Sequence, residues 1–251
     1  MKAYYRPSDL TIVSAAREGS FDPELLAVHL KTVGRTAKET GVKHLFVDLG
    51  SDPPLADVYP GSSMVHVESD YWSEAKAKNA AIDRVDTPLV AFTTTDTMVY
   101  PETIQMTIEL VETLVMFVLQ GYCWEVPRDL TRRILTGECD PCRESHVIKN
   151  LSVPRFGPQL PGPEWQVSTV EYAKKVGGFS EDMVRAGGFE IDFHDRMYAL
   201  TRREILTRDV PIMHLFNRSS GQTQDTSEPR RDRLMKFLHS GKAGDLDWRN
   251  T

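Results

Sequence analysis

The chain has 251 residues, a formal net charge of −6 and a hydrophobic fraction of 40%. That length suits one large α/β domain or two small ones, and the acidic balance argues against a protein that coats nucleic acid. No apolar run reaches the length of a membrane span, the N-terminus lacks a charged-then-apolar leader, and three cysteines make no disulfide framework, so a cytoplasmic protein is expected.

Leu10 to Ala15 reads as a buried strand, with Arg17, Glu18 and Gly19 at its carboxyl end. Asp22-Pro23 is a helix start, Asp as cap and Pro in the first turn. Leu25, Leu26, Val28, His29, Leu30 and Val33 then recur at helical spacing up to Gly41, so His29 packs or faces water rather than acting as a ligand. Val42 to Leu49 is a second strand, ended by Gly50 and Pro53-Pro54. This β-α-β unit implies a parallel sheet. Asp48, near the end of the second strand, either accepts hydrogen bonds from a nucleotide or is a turn residue before Gly50. Met64 to Val67 reads as a short edge strand. Ser73 to Ile82 is a capped helix whose Lys76, Lys78 and Asn79 face a phosphate or form a solvated face.

The apolar run Leu89 to Phe92 is a short strand that gives way to Thr93-Thr94-Thr95-Asp96-Thr97, before Pro101 opens another helix. Ligands of open α/β sheets sit at carboxyl strand ends. A lone carboxylate among hydroxyls there suits a hard cation with its phosphates, or caps the next helix. The helix over 102–112 turns Ile104, Ile108 and Val111 inward, and a strand is expected from Leu114 through Leu119 to Tyr122.

Residues 125–163 are rich in proline and read as an irregular excursion, of a length that is usually functional. Cys139 and Cys142 form a CxxC pair, with His146 downstream and Cys123 upstream: the ligand types of a structural Zn²⁺ site, or free thiols. Trp165 to Tyr172 alternates as a strand. After Gly187-Gly188, a helix carries Glu190 and Asp192 in its first turn, as capping acids or as carboxylates aimed at a substrate. Ile205 to Ile212 reads as an edge strand because of Pro211, and His214 at its end is a metal ligand or a structural group. Residues 217–228 are polar and expected to be mobile, and Arg230 to Leu238 forms an amphipathic helix.

The order VDLGS, AKAKNAAI, TTTDT, EYAKKVGGFSE, GGFEIDFHDR and a strand ending in His resembles nucleotide-sugar glycosyltransferases of the GT-A fold. The likeness is to family 2 and to the polypeptide N-acetylgalactosaminyltransferases, over residues 10–216. It implies a single α/β, Rossmann-like domain with a mostly parallel central sheet flanked by helices. Residues 1–122 would bind the donor, 123–216 would hold acceptor and catalytic groups, and 217–251 would be a flexible tail with a helix. Asp48 matches the acid near the nucleotide base. Asp96 matches the last acid of the Asp-X-Asp metal motif, whose first acid is replaced by Thr94, and His214 matches the histidine that completes the metal site. Gly188-Phe189-Glu190-Ile191-Asp192, with Arg196, matches the catalytic motif, with Phe189 in place of its usual first acid. Glu190 and Asp192 are then the catalytic carboxylates, Glu190 as the base of an inverting transfer. Ala15, Arg17, Asp48, Lys78, Asn79, Thr94, Thr95 and Gly188 are the donor contacts. The resemblance implies a UDP- or GDP-sugar donor, Mn²⁺ or Mg²⁺ as cofactor and an acceptor hydroxyl of a glycan or another molecule. Retention of configuration stays open. So do a domain that binds nucleotide or glycan without turnover, a nucleotidyltransferase, and transfer to a modified nucleic-acid base.

Overall fold

Side chains that satisfy helix ends fix the first elements. Asp22 accepts the amide of Glu24, Pro23 takes the first turn, and Gly41 closes the helix with φ of 79°. In the computed structural model, which describes residues 4–59, 63–112, 114–155, 164–181 and 189–217, a 3-10 turn leads into β1 (Leu10–Ala16), α1 (Pro23–Thr40), β2 (Lys43–Leu49), α2 (Leu55–Val58) and β3 (Met64–Val67). Then come α3 (Glu74–Ile82), β4 (Leu89–Phe92), β5 (Thr97–Met98), α4 (Pro101–Val111), β6 (Val118–Val126), α5 (Arg128–Leu135) and α6 (Ser145–Leu151). The chain continues through β7 (Val153–Pro154), β8 (Gln166–Thr169), α7 (Val170–Lys175), α8 (Phe189–Thr201) and β9 (Glu204–Leu215).

The strands of the described residues join one sheet in the order β3-β2-β1-β4-β8-β6-β9-β5, with β7 added on β6. Strands β1, β2, β3, β4, β6 and β9 point the same way, while β5, β7 and β8 run against them. The α/β reading with a mostly parallel sheet therefore holds. Successive strand residues face opposite sides. Val13, Val47, Val90 and Phe92 pack with α3, α7 and α8 on one face. Ile12, Leu89, Ala91, Trp165 and Val167 pack with α1 and α4 on the other. A third cluster joins α5 and α6 to Met98, Met213 and Leu215. Among the described residues no helix is long and apolar enough to cross a membrane.

The structure departs from the sequence expectations in four places. The strand expected over 114–122 is displaced to Val118–Val126, because Leu114 still bonds back to Val111 and Val115 and Met116 are exposed. The excursion over 125–163 contains α5 and α6. Its prolines punctuate helices instead of preventing them: Pro127 precedes α5, which turns Leu130, Thr131 and Ile134 inward. The strand expected over 165–172 is cut to Gln166–Thr169, where the Thr169 hydroxyl accepts the Tyr172 amide and starts α7. Finally, β9 is no edge. It lies between β6 and β5, and Pro211 is tolerated because the β6–β9 register jumps from Gly121↔Thr207 to Tyr122↔Pro211. The tail expectations beyond Asn217 lie outside the described residues.

His29 is fully buried under β1. Its Nδ1 lies 2.7 Å from the Thr97 carbonyl and its Nε2 lies 3.0 Å from Ser14 Oγ. A carbonyl can only accept, so Nδ1 carries the proton and Nε2 accepts from Ser14. Burial lowers the His29 pKa to about 4. A group depressed below its unfolded value, near 6.5, is protonated first in the unfolded chain, so it stabilises above that value and the contribution is lost as pH falls toward 4. His29→Gln is expected to remove this part of the pH dependence, about 1.4 kcal/mol per pH unit between roughly 6.5 and 4. Urea denaturation of both proteins across that range measures the difference, and equal slopes would contradict the assignment.

Candidate active site at the carboxyl edge of the sheet

The parallel registers bring distant residues to one edge. Ala16 stands beside Asp48, Asp48 beside His66, and Glu125 beside His214. Strand β8 runs the other way, so Glu164 and Gln166 enter the sheet from this same edge. Ala15 is buried within it, and Arg17, Thr94 and Thr95 are half-buried at its rim.

Asp96 is held between three side chains. Thr94 Oγ1 donates to its Oδ1 at 2.6 Å, and His214 Nε2 (3.0 Å) and Asn217 Nδ2 donate to its Oδ2. The turn itself is braced by the Thr93–Thr97 hydroxyl pair at 2.8 Å and by the Leu215 amide on the Asp96 carbonyl. On the far side, His214 Nδ1 lies 3.1 Å from Glu125 Oε2. Arg155 reaches Glu125 at 3.6 Å and Glu164 at 3.3 Å. Burial works against the Asp96 charge, but His214 and Thr94 outweigh it and hold the carboxyl well below the usual carboxylate range. Burial likewise opposes the His214 charge, yet Asp96 and Glu125 carry its pKa up to about 9. Glu164 is pushed up by burial, only partly offset by Arg155.

Asp48 is spent on its own loop. It accepts from the Ser51 hydroxyl, from the Leu55 amide at 2.9 Å and from His66 Nδ1 at 2.9 Å. Burial raises its pKa, and these bonds bring it below the ordinary value. Lys78 and Asn79 are buried, so they form no solvated face. Asn79 gives its amide to the Phe179 carbonyl (2.9 Å) and Glu181 (2.7 Å) and accepts the Phe179 amide at 2.7 Å. It thereby clamps the turn after α7, where Gly178 has φ of 70° and a Cβ would collide with the Asn79 carboxamide.

Glu190 opens α8 and is 7% exposed. Gln166 Nε2 donates to its backbone carbonyl at 2.9 Å, and Lys78 Nζ lies 3.5 Å from its Oε1. Phe179 stacks on Phe193 at 4.3 Å and meets Phe92 and Phe189 edge-on, which fixes the start of the helix against the sheet. Burial raises the Glu190 carboxyl far above the carboxylate range; Lys78 opposes this shift and the Glu74 charge adds to it, the ammonium lying closer to Glu74, at 2.8 Å, than to Glu190. Glu164 acts electrostatically on both Asp96 and Glu190, and Gln166, two residues on, ties the Glu190 backbone to the start of β8.

Asp192 points elsewhere. Its Oδ2 accepts from Ser180 (2.7 Å) and from Arg196 Nε (3.0 Å) and Nη2 (2.7 Å). Gly188 lies outside the described residues.

The expected zinc set does not assemble. Cys123 is buried on β6 near Glu164 and Arg155, Cys139 sits against Glu144, and Cys142 lies by Arg35 and Asp140. Among the described residues no group of three or more His, Cys, Asp and Glu side chains is arranged to hold a metal ion, and Zn²⁺ finds no support. Asp96 and His214 do offer a carboxylate oxygen and an imidazole nitrogen side by side, the donor types that suit Mn²⁺ or Mg²⁺ when phosphate oxygens and water complete the shell. Glu125, Arg155, Glu164 and Gln166 escaped the sequence reading. Strand parity was the available signal for two of them, since Glu164 and Gln166 alternate with the core residues Trp165 and Val167.

This edge and this sheet define a GT-A-like glycosyltransferase fold. Solved structures that share it include the following three. The mannosyltransferase PcManGT from Pyrobaculum calidifontis, in complex with GDP-Man and Mn²⁺, aligns with a TM-score of 0.57 at 15% identity over 98% of this chain and 67% of its own. GalNAc-T7 with UDP, GalNAc and Mn²⁺ aligns with a TM-score of 0.59 at 7% identity over 90% of this chain and 47% of its own. TarS of S. aureus aligns with a TM-score of 0.57 at 12% identity over 91% of this chain and 42% of its own. The chain thus spans about half or less of the latter two proteins. No protein-family model and no curated protein sequence matches it.

The buried Asp192–Arg196 pair predicts a large loss on breaking. Removing one partner of a buried ion pair strands the other, at a cost of about 3–5 kcal/mol. Arg196→Met is expected to lower stability by that amount in urea denaturation. Lys175→Ala, which breaks only an exposed pair with Glu171, is expected to leave it unmoved. Equal effects would refute the structural role given to Arg196.

Proposed function

We propose that the chain is a glycosyltransferase that moves a sugar from a UDP- or GDP-sugar to an acceptor hydroxyl, with inversion and with help from Mn²⁺ or Mg²⁺. One observation supports this reading above the others: the Asp96–His214 pair lies at the carboxyl edge of the sheet, and the backbone of Glu190, far away in sequence, is bound there by Gln166 where β8 enters. The three structural neighbours supply the fold, and two of them were solved with a nucleotide or nucleotide sugar and Mn²⁺.

In this reading residues 1–122 cradle the donor and 123–216 hold the acceptor and the base. Asp96 and His214 would ligate the cation together with diphosphate oxygens. When bound, the ion offsets charge on the departing nucleoside diphosphate. Ala15, Arg17, Thr94 and Thr95 line the rim where the diphosphate would lie, and Arg155 adds positive charge behind it. Asp48, whose oxygens brace the Ser51–Leu55 loop, shapes the floor under the base. Glu190 takes the proton of the acceptor hydroxyl as that oxygen bonds to the anomeric carbon and the bond to the diphosphate oxygen breaks. A base needs a pKa near the working pH, and burial supplies that direction of shift. Asp192, bound by Arg196, serves by holding α8 in place.

A second reading is a domain that binds a nucleotide sugar without turning it over. Thr94 in place of an acid and the 7% exposure of Glu190 favour it.

Thermal-shift measurements with UDP- and GDP-sugars, with and without Mn²⁺, test the class: one donor is expected to raise Tm in a metal-dependent way. Asp96→Ala should abolish the metal-dependent part of that shift. Absence of any shift with every donor would overturn the proposal. Glu190→Gln should keep donor binding and lower transfer by roughly 10²–10⁴-fold. Wild-type binding without transfer or donor hydrolysis would decide for the second reading.

A further inference from the structure

Lys78 is 0% exposed, on a nine-residue helix that buries it among Ala75, Ala77, Ala81 and Ile82. A buried ammonium is costly unless charges and dipoles compensate it. Here Glu74 Oε1, one turn back on α3, lies 2.8 Å from Nζ, and Glu190 Oε1, on α8, lies 3.5 Å away. The rings of Phe179 and Phe189 close the remaining sides at 5.2 and 5.0 Å to their centroids. Apolar residues of like volume are often as stable as a buried ion pair, so stability alone does not account for the group.

The arrangement is unequal. One ammonium serves two carboxylates: the closer, Glu74, has a side chain 24% exposed, and the farther, Glu190, one 9% exposed. Among the described residues, the charged groups acting on the Glu190 carboxyl are Lys78 and Glu74 from α3 and Glu164 from the segment entering β8, and of these Lys78 is the positive one.

Resting on the transferase reading, we infer that Lys78 is the positioning residue of Glu190: its ammonium aims the carboxylate and favours its ionised form, and Glu74 sets how much of that charge Glu190 receives. Two acids compete for one cation. Removing the cation and removing the competitor must therefore act on Glu190 in opposite senses, which a merely structural contact would not do.

The test is carboxyl ¹³C NMR titration of the full chain with labelled glutamate, with Glu190→Gln used to assign the signal. Lys78→Met is expected to move the Glu190 midpoint up by about 1 pH unit or more, and Glu74→Gln to move it down. The acid limb of kcat/KM for transfer should shift the same way in each variant. Midpoints that stay put, or move in the same direction in both variants, would overturn the inference. Should Lys78→Met fail to fold, Glu74→Gln decides alone by the sign of its shift. If the wild type transfers no sugar while the midpoints move oppositely, the transferase reading fails and the coupling stands. If it transfers sugar and the midpoints do not move, the reverse holds.

Discussion

The guanidinium of Arg196 is the contact on which the placement of α8 depends. It binds Asp192 on its own helix and also the carbonyls of Val176 and Gly178 across the gap to the α7 turn. A lysine could not reach three acceptors in one plane, whereas the guanidinium fork can. From the other side Asn79 holds the same turn through both ends of its carboxamide. The turn thus has α3 on one flank and α8 on the other, and Phe179 rises from it into the aromatic cluster under Glu190. Backbone carbonyls with no sheet or helix partner are made into the joint between two helices, and that joint decides where Glu190 stands.

The other end of the edge is built by strand register. Glu125 and His214 are neighbours on β6 and β9, and Thr97 on the short β5 pairs with His214 from the other side. Asp96 comes just before β5, so pairing of β5 with β9 is what carries its carboxylate to the imidazole. The register jump at Pro211 matters for the same reason: it lets β9 continue as far as Leu215 and bring His214 to the carboxyl edge. Side-chain chemistry fixes the α8 end, and backbone pairing fixes the β9 end.

The sequence shows local features and hides the distant ones. Asp22-Pro23 with Gly41, and Ser73 ahead of α3, were readable because a cap needs only its own neighbours. The polar break after Phe92 was readable because hydroxyls and a carboxylate do not continue a buried strand. The excursion over 125–163 misled, since its prolines and glycines pointed to loop while α5 and α6 are stabilised by packing against Met213 and Leu215 from far down the chain. Arg155 and Glu125 were not readable, and Glu164 only through strand parity. Arg155 and Glu125 acquire their meaning from each other and from His214, far along the chain, and a single sequence carries no record of who meets whom. The fold was legible at the level of class, and the site at the level of its end residues, while the charges between them required coordinates.

Those hidden charges bear on the acid missing at position 94. Thr94 does not leave Asp96 alone, because its hydroxyl donates to Oδ1 while His214 and Asn217 take Oδ2. Around this carboxylate stand Glu125 and Glu164 as further acids, with Arg155 and His214 as the cations between them. Three carboxyls thus face one guanidinium and one imidazole, and burial pushes Glu164 toward its neutral form. The cluster is close to electrically balanced before anything binds. In a low-dielectric setting a second aspartate at position 94 would add an uncompensated negative charge, the costly situation for a buried group. On this argument an uncharged threonine at position 94 suits a cluster whose acids are already supplied by β6 and by the segment entering β8.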